Sequence, residues 1–146
     1  MSIKQRASAL LALAAFATTI LITSYAHSVP TEGAAKHRVF EIRTYTTEPG
    51  KLPALLARFR DHTTKLFEKH GMTNIGYWTP TDEPRSKNTL IYILAHDSRD
   101  AAKKSWAEFR ADPDWQKVQK QSEAAGKIVT KTESVFADAT DFSAIK

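Results

Sequence analysis

Between Arg38 and Phe136 the period of the apolar pattern moves from two to 3.6 and back twice, and this order limits the fold more than any other feature of the chain. Arg38 to Tyr45 alternates, with Phe40 and Ile42 on one face and Glu41, Arg43 and Tyr45 on the other, as in a strand. Glu48, Pro49 and Gly50 break it. From Lys51 to His70, Leu52, Leu55, Leu56, Phe59, Leu66 and Phe67 fall on one helical face, Pro53 suits the first turn, and Gly71 is a stop. Met72 to Thr79 reads as a second strand carrying Ile75, Tyr77 and Trp78, followed by a polar loop from Pro80 to Lys87. Asn88 to His96 holds the apolar run Leu90 to Leu94, the pattern of a central strand. Asp97 or Ser98 caps a second helix with Ala102, Trp106 and Phe109 on its inner face. Pro113 opens a short helix that turns Trp115 and Val118 inward, Gly126 stops it, and Lys127 to Phe136 is the last strand.

The order βαββαβ predicts a ferredoxin-like α+β fold, an antiparallel sheet with its helices on one face. Two helices leave the other face bare. That face is expected to carry Arg43, Tyr45 and one side of the Leu90 to Leu94 strand, which is too apolar for water. A second copy would cover it, so a homodimer is expected. The alternative is that the C-terminal tail and the helix after Pro113 fold across part of the face.

The N-terminus has a different character. Lys4 and Arg6 precede an uncharged apolar stretch from Leu10 to Ile22, and Ser24-Tyr25-Ala26 places small residues at the −3 and −1 positions of a cleavage site. Residues 1–26 therefore read as a signal peptide cut after Ala26, with a secreted or periplasmic product. The other reading is an uncleaved anchor, since ~20 uncharged residues can span a bilayer. Residues 27–37, with Pro30 and Gly33, lack periodicity and form a leader. The folded domain is placed at 38–138 and a tail at 139–146. After cleavage no further apolar span remains, so no stable membrane span is expected in the mature chain.

Composition removes several function classes. The chain has 146 residues and no cysteine, which excludes disulfides, thiolate nucleophiles and zinc ribbons. Loss of residues 1–26 takes two of the 21 basic residues and leaves a net charge of +3 against 16 acids. The remaining bases are interleaved with acids, as in Arg58, Arg60 and Asp61, which is a solvated mixed surface and not a nucleic-acid footprint. No GxGxxG loop or serine elbow occurs. No histidine pair or acidic cluster has metal-ligand spacing, so no metal is expected.

A set of short motifs then accumulates in order: Phe40-Glu41-Ile42-Arg43-Thr44-Tyr45, Pro49-Gly50-Lys51, Phe59-Arg60-Asp61-His62, Lys69-His70-Gly71, Tyr77-Trp78-Thr79, His96-Asp97-Ser98 and Asp112-Pro113-Asp114-Trp115-Gln116. Together with Trp106 they resemble the NIPSNAP family from about Val39 to Phe136. The resemblance implies a ferredoxin-like domain that pairs through its sheet into a dimeric α/β barrel, an architecture shared with cofactor-free and haem-degrading monooxygenases. It brings no catalytic residue that can be carried over. The export signal departs from better-known mitochondrial and cytosolic relatives.

Glu41, Arg43 and Tyr45 share one strand face at i, i+2 and i+4. They can orient a polar ligand or move a proton, or simply form an inter-strand or inter-subunit salt bridge, which is the commoner arrangement. His62 lies close to the apolar stripe of the first helix. There it could act as a base or ligate haem iron, or be a partly buried histidine with an ordinary hydrogen bond. His70 suits a helix C-terminus. Trp78, Trp106 and Trp115 with Tyr77 and Tyr92 can line a pocket for a flat apolar or aromatic ligand, or belong to the core. These readings favour a binding module for a small ligand or a protein, with no cofactor. The alternative is a cofactor-free or haem-linked monooxygenase.

Overall fold

The computed structural model describes residues 37–146, so the expected signal peptide and nearly all of the leader lie outside the described residues. Four strands form one antiparallel sheet: β1 (Val39–Thr47), β2 (Thr73–Trp78), β3 (Thr89–His96) and β4 (Val129–Asp138), in the order β2-β3-β1-β4. Between them run α1 (Leu52–Arg58), α2 (Thr64–Lys69), α3 (Arg99–Ala111) and α4 (Pro113–Ser122). Chain order and sheet order together give the expected ferredoxin-like α+β fold.

Local chemistry sets the ends of these elements. Ser98 Oγ accepts the Ala101 amide at 3.0 Å and caps α3. Asp112 caps α4 by accepting the Asp114 amide at 2.8 Å, with Pro113 in the first turn. After α2, Gly71 takes φ +73°, its amide reaches Glu68 O at 3.0 Å, and the Met72 amide reaches Phe67 O at 3.0 Å. This paired closure needs a left-handed residue, which glycine supplies without steric cost.

The helix expected from Lys51 to His70 is interrupted. Phe59–Thr63 is a π-helical turn in which the Thr64 amide bonds to Phe59 O, one residue further back than in an α-helix. Thr63 Oγ1 donates to Arg58 O at 3.1 Å, serving a carbonyl in the altered ladder. The extra residue rotates the helix face. Arg58, Phe59 and Thr63 become buried, while His62 is exposed.

The core lies between helices and sheet. Leu52, Leu55, Phe59, Phe67, Trp106 and Phe109 meet Leu90, Tyr92 and Leu94, with Ile128 closing one end. Tyr92 is its hub, with Tyr45, Phe59, Phe67 and Tyr77 rings between 5.2 and 6.0 Å from its own. Edge-on and stacked contacts at such distances add to the burial energy.

The assignment of sheet faces is the main correction to the sequence reading. Glu41, Arg43 and Tyr45 lie under the helices, with Trp106 bonded to Glu41 and Phe59 against Tyr45. The bare face instead carries Ile42, paired in register with Ile93 and Val135, together with Trp78. Ile42 is 37% exposed, Trp78 51% and Val135 61%. Ala139, Thr140, Ser143 and Ile145 border a groove of about 280 Å³ on this face, beside Phe40, Ile42 and Ile93. The tail thus reaches part of the face, whereas the helix after Pro113 packs with Phe109 and Arg58 on the other side.

Candidate functional site

At the centre of the covered face the Glu41 carboxylate is 2% exposed and held by four donors. Its Oε1 accepts from Arg43 Nη1 at 2.5 Å and from Ser134 Oγ at 2.6 Å. Its Oε2 accepts from Trp106 Nε1 at 2.6 Å and faces His96 Nε2 at 3.1 Å. The donors come from β1, β4, α3 and β3, so one carboxylate ties the sheet to a helix. Arg43 lies over the Trp106 ring, 4.2 Å from its centroid, and its Nη2 donates to Tyr45 Oη at 3.3 Å.

Burial alone would raise the Glu41 pKa. The hydrogen bonds from His96, Ser134 and Trp106 and the charge of Arg43 outweigh it and bring the group from 4.5 to about 2. A carboxylate so firmly ionised and so fully bonded is a poor proton acceptor, because all its acceptor capacity is spent on fixed donors. The Glu41–Arg43 pair lies within a single strand, and Ser134 provides the link across to β4. Burial likewise pushes the Tyr92 hydroxyl well above 10, and it stays protonated.

The other expected residues are divided. Tyr45, Tyr92 and Trp106 join the cluster under the helices. Trp78 does not: it stands on the bare face, and its ring folds back over Gly76 so closely that a Cβ there would lie 2.7 Å from Cζ2. His62, expected near the cavity between helix and sheet, sits outside it in a shallow cleft with Asp61, Val118 and Gln121. The π turn is the reason. His70, at the end of α2 as expected, meets Asp112 Oδ2 at 2.6 Å, and Lys69 reaches the same oxygen at 2.8 Å. These two bonds hold the Asp112 carboxyl below its usual range.

Sequence reasoning missed His96, Ser134 and Arg58. His96 stood in the His96-Asp97-Ser98 motif, but nothing local in it or in Ser134 pointed to Glu41, which they meet from 55 and 93 residues away. Arg58 did carry a signal, because it lies three residues after Leu55 on the apolar stripe. Its side chain is 4% exposed, and Nη1 donates to Ser122 Oγ and Glu123 Oε1, both at 3.2 Å.

Arg58 lines a recess that opens beside the Glu41 cluster. This space of about 290 Å³ lies between Tyr45 and Thr132 on the sheet and Trp115 and Gln119 on α4, with Lys127 at its rim. Tyr45 connects the two, bonding to Arg43 and forming part of the recess wall. Among the described residues no histidine lines it, and no group of three His, Cys, Asp or Glu side chains converges to hold a metal. No described helix is long and apolar enough to cross a membrane.

A sheet of this topology, with helices on one face and a recess between the layers, defines a ferredoxin-like α+β domain. The chain belongs to the NIPSNAP family, whose sequence pattern matches residues 40–144. It is similar to a NIPSNAP family protein of unknown function from Agrobacterium tumefaciens, at 25% identity and TM-score 0.64 over 77% of this chain and 96% of that one. A NIPSNAP-like domain protein from Burkholderia xenovorans aligns at 17% identity and TM-score 0.64, covering 74% and 90% of the two chains. A Streptomyces coelicolor monooxygenase in complex with nanaomycin D shares the fold at 12% identity and TM-score 0.53, covering 76% and 95%. No curated protein matches.

Proposed function

We propose that this chain is an exported NIPSNAP module that works as a homodimer and binds a small ligand in the recess beside Tyr45. The observation that carries the ligand reading is the recess itself. Its volume of about 290 Å³ is at the lower end of small-molecule sites, ~300 Å³ and upward, and its lining joins the aromatic rings of Tyr45, Phe67, Phe109 and Trp115 to charged and polar groups that could orient a ligand.

Binding is favoured over turnover because the acid–base candidates read from the sequence are committed elsewhere. Glu41 is saturated by its donors, Tyr92 keeps its proton, and His62 lies outside. A monooxygenase of this fold would need its substrate or cofactor to supply that chemistry, and a haem would need a ligating side chain that reaches the recess. A second copy is the natural cover for the face bearing Ile42, Ile93 and Val135, since a contiguous apolar sheet face is costly in water and self-complementary under a two-fold axis. Export rests on the Lys4 to Ala26 pattern.

Titration of ¹⁵N-labelled protein with benzyl alcohol, indole, benzamide and benzoate tests the ligand reading. A saturable shift of the Trp115 indole N–H by one or more of them is expected. No saturable shift across the set overturns it.

A further inference from the structure

The guanidinium of Arg58 is half used. Both of its hydrogen bonds leave from Nη1, to Ser122 and Glu123. Among the described residues its Nε is buried with no acceptor, and Nη2 donates to none. A buried charged donor without an acceptor is expensive, and native structures rarely leave one unless something binds there. Nε and Nη2 form the side edge of the guanidinium, two parallel N–H bonds whose spacing matches the two oxygens of a carboxylate.

The surroundings agree in charge and shape. Arg58 and Lys127 contribute two positive charges to the lining and Glu123 one negative, so the recess has one cation in excess. Among the described residues Lys127 has no ion-pair partner. Beyond Arg58 one side of the recess is aromatic: its guanidinium carbon lies 5.4 Å from the Trp115 ring centroid, with Tyr45, Phe67 and Phe109 nearby, while Thr63, Thr130 and Thr132 make the rest of the wall more polar. Flat walls and a small volume select a flat body, and the free guanidinium edge selects its charged end.

Resting on the ligand reading above, we propose that the recess binds a small planar carboxylic acid of the aromatic type. The carboxylate is taken side-on by Arg58 Nε and Nη2, Lys127 attracts it from the rim, and the ring lies along Trp115 and Tyr45. Ser122 and Glu123 keep Nη1 occupied and leave the Nε–Nη2 edge without a protein acceptor among the described residues. Phosphate would satisfy the same edge but would leave the aromatic walls unfilled.

Benzoate, its neutral isostere benzamide and inorganic phosphate, titrated calorimetrically and by ¹⁵N shifts of the Trp115 indole, test this on the whole protein. Benzoate should bind at least tenfold more tightly than benzamide and also more tightly than phosphate. Arg58→Lys, which keeps the charge and loses the fork, should weaken benzoate tenfold or more and leave benzamide unchanged. Lys127→Gln is exposed and retains the fold even if the Arg58 variant does not, and it should weaken benzoate severalfold with no effect on benzamide. Equal binding of benzoate and benzamide leaves the ligand reading intact and overturns the carboxylate. Phosphate binding without benzoate also overturns it. Failure of every aromatic probe to shift Trp115 overturns both.

Discussion

The indole N–H of Trp106 reaches the carboxylate of Glu41 at 2.6 Å across 65 residues of sequence, and this bond fixes how α3 sits on the sheet. A hydrogen bond to an ionised acceptor is stronger than a neutral one, and here both groups are shielded from water. Replacing the donor leaves a buried charge one partner short. Trp106→Phe, which keeps an aromatic ring in place, should lower stability by about 2 kcal/mol in urea unfolding. An unchanged midpoint would mean that Arg43, Ser134 and His96 suffice to hold the carboxylate.

Acid should destabilise the fold through Glu41. The unfolded chain takes up this proton near 4.5 and the folded chain only near 2, so between those values the unfolded state binds more protons. The contribution is complete above about pH 5 and fades as pH falls toward 2, a loss of roughly 3 kcal/mol in all. Asp112, lowered by Lys69 and His70, acts in the same direction. Glu41→Gln should be less stable at neutral pH and lose stability less steeply on acidification. Parallel acid limbs for the two proteins would show that Glu41 does not titrate as described.

His62→Ala should change stability by no more than about 0.5 kcal/mol, because the residue is exposed and lies outside the core. It should also leave ligand binding at Trp115 unchanged. A large loss of either would place His62 in the recess after all, contrary to the phase set by the π turn.

Ile42→Lys combined with Val135→Lys should convert a dimer to a folded monomer. Both positions pair in register on the bare face and are exposed in the single chain, so the monomer loses little when they change. Light scattering at micromolar concentration should fall from twice the chain mass to one. Wild-type protein that scatters as a monomer would remove the dimer from the proposed function.

Export can be checked by mass. Secreted or periplasmic material should begin at His27, the residue after the expected cut. Intact residues 1–26 recovered in a membrane fraction would make the segment an anchor.

Element types and boundaries were legible in the sequence because they depend on neighbours. Period-two alternation in Arg38 to Tyr45, the Leu52 to Phe59 stripe, Gly71 after Lys69-His70, and Asp112-Pro113 each act within a few residues, and the elements formed where these signals lay, apart from the π turn at Phe59–Thr63 that divides the first helix. Alternation also showed that Glu41, Arg43 and Tyr45 share a face. Which face the helices would cover was decided only in three dimensions. The pattern alone puts apolar Phe40 and Ile42 inward, but the polar triad can be buried because Ser134, Trp106 and His96 arrive from three other elements to satisfy the carboxylate. The same holds for the recess. One extra residue in the turn at Phe59–Thr63 moves His62 out and keeps Arg58 in, and only the packing of α4 against α1 then encloses that guanidinium with Trp115 and Glu123. Local pattern sets what each segment becomes, while the partners of a buried charge are long-range and exist only once the chain has folded.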